Sequence, residues 1–195
     1  VVIVCLGLDA TLEGEEGDTG NEFASGDKPD LNYPGLQNEI LKAAYESGKP
    51  VVLVSLTGSA MDLSWADEHI PAIVQAWYPG SRGGEAVARL LFGECSPEGK
   101  LPVTFYRSVE ELPEFTDYSM KGRTYRYMEQ EALYPFGYGL SYTEFSLSEP
   151  EITVYEGDKV SETGIIRKGT GMTVRTVIRN IGKMAGGETV QVYVK

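Results

Sequence analysis

Three glutamates crowd into one short stretch, Gly7-Leu8-Asp9-Ala10-Thr11-Leu12-Glu13-Gly14-Glu15-Glu16-Gly17-Asp18. Neighbouring carboxylates raise one another's pKa, so a cluster of this kind can hold one member protonated and ready to donate. That is the starting state of a general acid that later turns base. The competing chemistries are short of material. A single histidine, His69, leaves almost nothing for a Ser-His-Asp triad or a multi-histidine metal site. Any acid/base chemistry must therefore come from carboxylates. The plainer reading is an acidic loop solvated on the surface, as charge runs usually are. The spacing alone leaves both readings open.

The elements around the cluster say where it sits. Val1 to Leu6 is a continuous apolar run rich in β-branched residues, which predicts a buried strand of a parallel sheet. The glutamates leave the carboxyl end of that strand, on a long loop rich in glycine and carboxylates that runs from Gly7 to about Pro34. Loops of such length inside a domain are usually functional or disordered. Pro34 then opens a helix with Leu36, Ile40, Leu41 and Ala44 on one face, and Gly48 ends it. Val51 to Leu56 is a second buried strand, completing a right-handed βαβ unit. The pattern continues with a short helix over 63–68, a strand over 72–77, a helix over 84–92 and a short edge strand over 101–105, where Pro102 marks an end. Alternation of this kind gives an α/β fold, a mostly parallel sheet sandwiched by helices, with ligands beyond the carboxyl ends of the strands.

After Phe105 the chain becomes loop-like and dense in aromatics. Beyond residue 147 it alternates apolar and polar, through Ile152 and Val154, Met172 to Ile178, and Val190 to Val194. That period of two predicts β structure. Residues 1–146 are therefore expected to form the α/β domain and 147–195 a partial all-β sandwich. Val1 opens inside one strand and Lys195 follows another, so both ends are expected to be cuts within a longer chain.

Net charge is −12. Such a surface repels phosphate backbones, which argues against nucleic acid, and a neutral ligand such as a sugar is not penalised. No apolar run approaches the roughly 20 residues of a membrane span. Cys5, inside an apolar strand, is expected to be a buried thiol. Trp77 and Tyr78 can stack on a ligand or pack the interior, and packing is the plainer role. Gly80-Ser81-Arg82-Gly83-Gly84 lacks the Lys-Ser/Thr ending of a P-loop and reads as a tight turn. His69 reads as structural or solvent-exposed. Asp62 lies near the end of the second strand, within possible reach of a ligand.

An ordered series of motifs then resembles the C-terminal α/β sandwich domain of glycoside hydrolase family 3. The loop from Gly7 to Glu16 is similar to the family's acid/base loop. Gly26-Asp27-Lys28-Pro29-Asp30-Leu31-Asn32-Tyr33-Pro34-Gly35-Leu36-Gln37 resembles its "G-D-R-x-x-L-x-L-P-x-x-Q" segment, with Lys28 where Arg is usual. Val51 to Gly58, the run Ala76-Trp77-Tyr78-Pro79-Gly80, Pro97 to Phe105, Tyr125-Arg126-Tyr127 and Leu133 to Thr143 follow in the family's order. Gly187 to Val194 resembles a strand of the fibronectin-type-III-like domain that comes next.

The resemblance implies a retaining, exo-acting β-glycosidase, β-glucosidase first and β-xylosidase second, with no cofactor and no metal. It implies that the acid/base is a glutamate of the loop and that the nucleophile is an aspartate on a separate (β/α)8 barrel of the same parent protein. The closest spacing match puts the acid/base on Glu15, with Glu13 and Glu16 as alternatives. Asp27 and Lys28 are the implied substrate-binding residues. The substrate would be a β-linked oligosaccharide or glycoside, and neither nucleic acid nor a membrane is an expected partner. The fragment alone is expected to be inactive. The rival expectation is a non-catalytic carbohydrate-binding or scaffolding domain of the same fold.

Overall fold

The computed structural model describes residues 1–9, 11–14, 26, 28–156, 159–160 and 171–193. They divide into two units, one of residues 1–92 and 99–139, the other of Gly93–Glu98 with the chain from Leu140 onward.

The first unit is built on a parallel sheet in the order β1-β2-β3, from Val2–Gly7, Val51–Leu56 and Ala72–Gln75. Val4 sits beside Leu53 and Leu6 beside Ser55. Strand alternation puts Val4, Leu6, Val51 and Leu53 on one face, where all four are buried with Leu41 and Ala66. Leu41 belongs to helix α1 (Gln37–Glu46) and Ala66 to α2 (Ser64–His69). Helix α3 (Gly83–Leu91) follows β3, and its Val87, Ala88 and Leu91 line a cavity on the other face with Ile3, Cys5 and Leu56. An α/β architecture with a parallel sheet and helices, followed by antiparallel β structure, is what the periodicity predicts.

Several local expectations change. The packed face of α1 carries Leu41 and Ala44, whereas Leu36 and Ile40 are exposed. The inward stripe starts at Gln37, one position off the expected one, because that side chain is tied to β1. Cys5 is exposed, not buried, since it lies on the sheet face opposite the core. The expected strand over 101–105 is reduced to a single bridge between Phe105 and Tyr134. Pro102 removes a ladder donor there, and the fully buried Phe105 ring anchors the segment by packing.

In the second unit, β4 (Phe145–Leu147) pairs antiparallel with β8 (Ile178–Asn180). Strand β5 (Glu151–Glu156) lies between β6 (Lys159–Val160) and β7 (Gly171–Arg175), also antiparallel. Val154 is buried, while Ile152, Met172 and Val174 are exposed. The alternation at Val190 and Val192 forms no strand among the described residues. Gly187 there is held by a side chain instead, its N–H donating to Glu98 Oε1 at 2.7 Å.

Candidate active site

Three parallel strands end on one edge of the sheet, and the residues just beyond them share one cleft. Glu13 comes after β1, Gly58, Ser59 and Ala60 after β2, and Trp77 after β3. Lys28, Asp30, Thr104, Tyr106 and Leu112 complete much of the wall of a cavity of about 670 Å³. This is where an α/β sheet places its ligands.

The start of the acidic loop is fixed at β1. Gly7 closes the strand against β2, and a Cβ added there would stand 2.1 Å from Leu56 O, so a larger residue does not fit. Gln37 holds Gly7 from the other side. Its Nε2 donates to Gly7 O at 3.0 Å, and its Oε1 accepts from Gly7 N at 2.8 Å. This clamp gives the glutamine of the "P-x-x-Q" motif a physical reason. Asp9 then turns the chain: its carboxylate accepts from Thr11 Oγ1 at 2.6 Å and from Thr11 N at 2.8 Å. Those two bonds hold the Asp9 carboxyl below its ordinary value. Leu12 N and Glu13 N both donate to Asp9 O at 3.0 Å, completing a turn that delivers Glu13 to the cleft. Gly14 N donates to Gly26 O at 2.6 Å, bringing together the two described ends of the loop.

Glu13 is oriented from the sheet. Ser59 Oγ donates to Glu13 Oε2 at 2.8 Å. Behind it, Thr57 Oγ1 donates to Ser59 O at 2.8 Å and accepts from Gln75 Nε2 at 2.9 Å. Thr57 is fully buried, so this chain from β3 through the end of β2 to Glu13 is anchored in the interior. Trp77 adopts φ 55°, a left-handed conformation that is rare for a bulky side chain and concentrates at functional sites. Its ring packs edge-on to Phe105 at 6.2 Å and also lines the cleft. Lys28 Nζ donates to Asp30 O at 2.6 Å, within the cleft wall. Tyr33 OH donates to Ser55 Oγ at 2.6 Å below it, and burial pushes the Tyr33 phenol up to about 12.

Glu13 and Lys28, both singled out from sequence, thus line one cavity. Glu15, Glu16 and Asp27 lie outside the described residues. Asp62 is turned away to the start of α2, where it accepts from Ser64 N at 2.9 Å. Gly80 to Gly83 is a tight turn closed by Gly83 N to Gly80 O at 3.0 Å. His69 stacks on Trp65 at 4.5 Å. Ser59 and Tyr106 were not foreseen. Ser59 was open to discovery, because it directly follows β2, where the carboxyl-end rule points.

Comparison with known proteins supplies the family. Residues 1–142 match the model of the glycosyl hydrolase family 3 C-terminal domain. The whole chain is 45% identical to the xylan 1,4-beta-xylosidase of Xylanibacter ruminicola, over 21% of that protein's length. The periplasmic beta-glucosidase of Salmonella typhimurium is 32% identical over 93% of this chain and 24% of its own. Among solved structures, DesR, a beta-glucosidase from Streptomyces venezuelae in complex with D-glucose, matches 94% of this chain and 22% of its own, with TM-score 0.67 and 28% identity. The exo-beta-xylosidase XlnD, in complex with a xylobiose aziridine probe, matches 75% of this chain and 19% of its own, with TM-score 0.64 and 30% identity. This chain thus spans between a fifth and a quarter of the length of the curated relatives it matches. With the motifs in order, the sheet as expected and the family model matched over most of its length, the chain belongs to glycosyl hydrolase family 3, of which it carries the C-terminal domain.

Proposed function

We propose that this domain supplies the acid/base carboxylate of a retaining, exo-acting β-glycosidase whose nucleophile lies on a (β/α)8 barrel of the same parent protein. The observation that carries the proposal is a carboxylate-bearing loop tied into a cleft at the carboxyl ends of three parallel strands, with Glu13 held there by Ser59. In retaining hydrolysis the two carboxyl groups stand about 5–5.5 Å apart across the glycosidic bond. One attacks the anomeric carbon. The other gives its proton to the departing oxygen, then takes a proton from the water that releases the sugar. The loop provides the second group, Glu15 by motif spacing, with Glu13 and Glu16 as the alternatives. Glu13 is supported by its place in the cleft. Asp27 and Lys28 are proposed to bind substrate, and Lys28 is supported by the same wall. Both sugars stay in the proposal. β-Xylosides are favoured by the 45% identity to a xylosidase, and β-glucosides by the match to DesR. Residues 1–146 are proposed as the sandwich domain and 147–195 as the start of a fibronectin-type-III-like domain. With one carboxyl of the pair absent, the isolated chain should be inactive.

The test is the full-length parent on p-nitrophenyl β-xyloside and β-glucoside, with Glu13→Ala, Glu15→Ala and Glu16→Ala compared, each with and without azide. The acid/base variant loses turnover, and azide restores it as the β-glycosyl azide, because a small anion needs no general base. A parent that binds sugars and hydrolyses neither substrate makes this a binding domain and ends the proposal.

A further inference from the structure

Residues 113–123 form a surface loop that is built, not loose. The Arg123 guanidinium donates from Nη2 to Glu114 O at 3.1 Å and Asp117 O at 2.6 Å, and from Nε to Ser119 O at 3.2 Å. Ser119 N donates to Asp117 Oδ1 at 2.8 Å, and Arg123 N donates to Met120 O at 3.0 Å. Gly122, at φ 73°, turns the chain back so that its Cβ position faces Pro113 Cγ at 3.5 Å. The ends of the loop are therefore close, in the manner of compact functional loops. One arginine satisfying three carbonyls fixes the backbone. Yet the fixed backbone displays Phe115 and Tyr118 almost wholly to solvent, each 91% exposed. Large aromatic rings on a pre-ordered frame are the usual anchors of a protein interface, since little entropy is lost when they are buried.

The position of the loop says what it meets. Leu112, immediately before it, lines the same cleft as Glu13 and Ser59. A domain that brings a second carboxylate to that cleft must come up against its rim. The relatives carry more than three-quarters of their length outside the matched region, ample for such a domain. We infer that residues 113–123 are the docking anchor through which this domain seats against the nucleophile-bearing barrel of its own parent protein, with Phe115 and Tyr118 as the inserted side chains. The inference rests on the proposed division of the carboxylate pair. It adds the surface that sets the distance between the two halves.

Hydroxyl-radical footprinting of the full-length parent, read by mass spectrometry, tests it directly. Oxidation of Phe115 and Tyr118 should be about ten-fold slower in the native parent than in the denatured one, as for rings in an interface core. The double variant Phe115→Ser/Tyr118→Ser should lower kcat/KM on the aryl glycosides at least about ten-fold, as truncating two anchors does. Azide should not restore it, because every carboxylate remains. Rings that react as freely in the native parent as in the denatured one overturn the inference. Protection that appears only on adding a xylo- or gluco-oligosaccharide makes the loop a sugar platform and also overturns it. The two proposals fail separately. A parent inactive on both glycosides with both rings protected loses the hydrolase reading and keeps the docking surface. An active parent with both rings free does the reverse.

Discussion

Replacing Gln37 by Met removes the clamp on β1 while keeping the side chain's length. Gln37 makes two well-placed bonds to Gly7, at 2.8 Å and 3.0 Å, and a longer one of 3.3 Å to Pro34 O. A neutral hydrogen bond contributes about 0.5–1.5 kcal/mol net, so the two short bonds together contribute about 1–3 kcal/mol. Gly7 is half-buried, so water can reach the freed groups in part, which favours the lower half of that range. A loss of about 1–2 kcal/mol corresponds to a factor of roughly 5–30 in the equilibrium for opening the strand end. Hydrogen exchange on the full-length parent reads this as faster exchange in the peptide covering Gly7 and Leu8. The same variant should lower kcat more than it raises KM, because the loop that leaves Gly7 carries the proposed proton donor and must hold it in line. Exchange unchanged within a factor of two, together with wild-type kcat, would show that β1 pairing alone fixes the loop. The role assigned to Gln37 would then be wrong.

With Glu13 as the acid/base, Ser59→Ala, which leaves every loop carboxylate in place and removes the hydroxyl that orients Glu13, should lower kcat about ten-fold with KM little changed, and azide should not rescue it. Wild-type steady-state kinetics in that variant would leave Ser59 without a positioning role. Tyr33→Phe strands the fully buried Ser55 hydroxyl and should cost about 1–3 kcal/mol at pH 7, seen as a lower calorimetric Tm. Because the folded Tyr33 phenol sits at about 12 against an ordinary value of 10.0, its neutral form is favoured by the fold. The folded state holds its proton longer, so that contribution is complete below pH 10 and is lost as pH rises towards 12. The variant should lack this alkaline loss, and an identical fall in Tm between pH 10 and 12 in both proteins would refute the assignment.

The layout of the sheet was legible because parallel strands buried within a fold read as near-continuous apolar runs, and Val1–Leu6 and Val51–Leu56, broken only by Ser55, are two of them. The carboxyl-end rule then pointed at the Gly7 loop before any geometry was known. What periodicity cannot supply is which neighbours complete a face. Cys5 and Ile3 alternate correctly with Val4 and Leu6, yet they lie on the less covered side and are exposed. In α1 the choice of inward stripe was decided by Gln37 reaching Gly7, thirty residues earlier in the chain, which no helical repeat encodes. Val190 and Val192 have the right alternation and lack a pairing partner among the described residues, and a strand exists only by its partner. Ser59 was hidden for a different reason. A serine carries no charge pattern, and its role appears only when β2 and the acidic loop are brought together.

The cleft's chemistry also argues about where specificity lies. Xylose and glucose differ by one hydroxymethyl group, so discrimination needs close contact at the position that group would occupy. A site built to hydrogen-bond a hydroxyl rejects the analogue lacking it far better than an apolar pocket rejects an added group. On this domain the groups that could make such contacts, Glu13, Lys28, Asp30 and Ser59, come from the loop segments and the end of β2. The wall built around Pro102, Val103, Val109 and Leu112 is apolar and offers contact without selection. Glu13 and Lys28 each hold one partner within the domain, Ser59 and Asp30 O. An open cleft of about 670 Å³ suits the placing of the proposed proton donor better than the measuring of a sugar. On the proposed function, the choice between xyloside and glucoside should therefore follow the proposed barrel. Exchanging this domain between a xylosidase and a glucosidase of the family should change kcat through the fit of the two halves, while the ratio of kcat/KM for the two aryl glycosides stays with the barrel. A ratio that travels with this domain instead would place the specificity contacts on its loop.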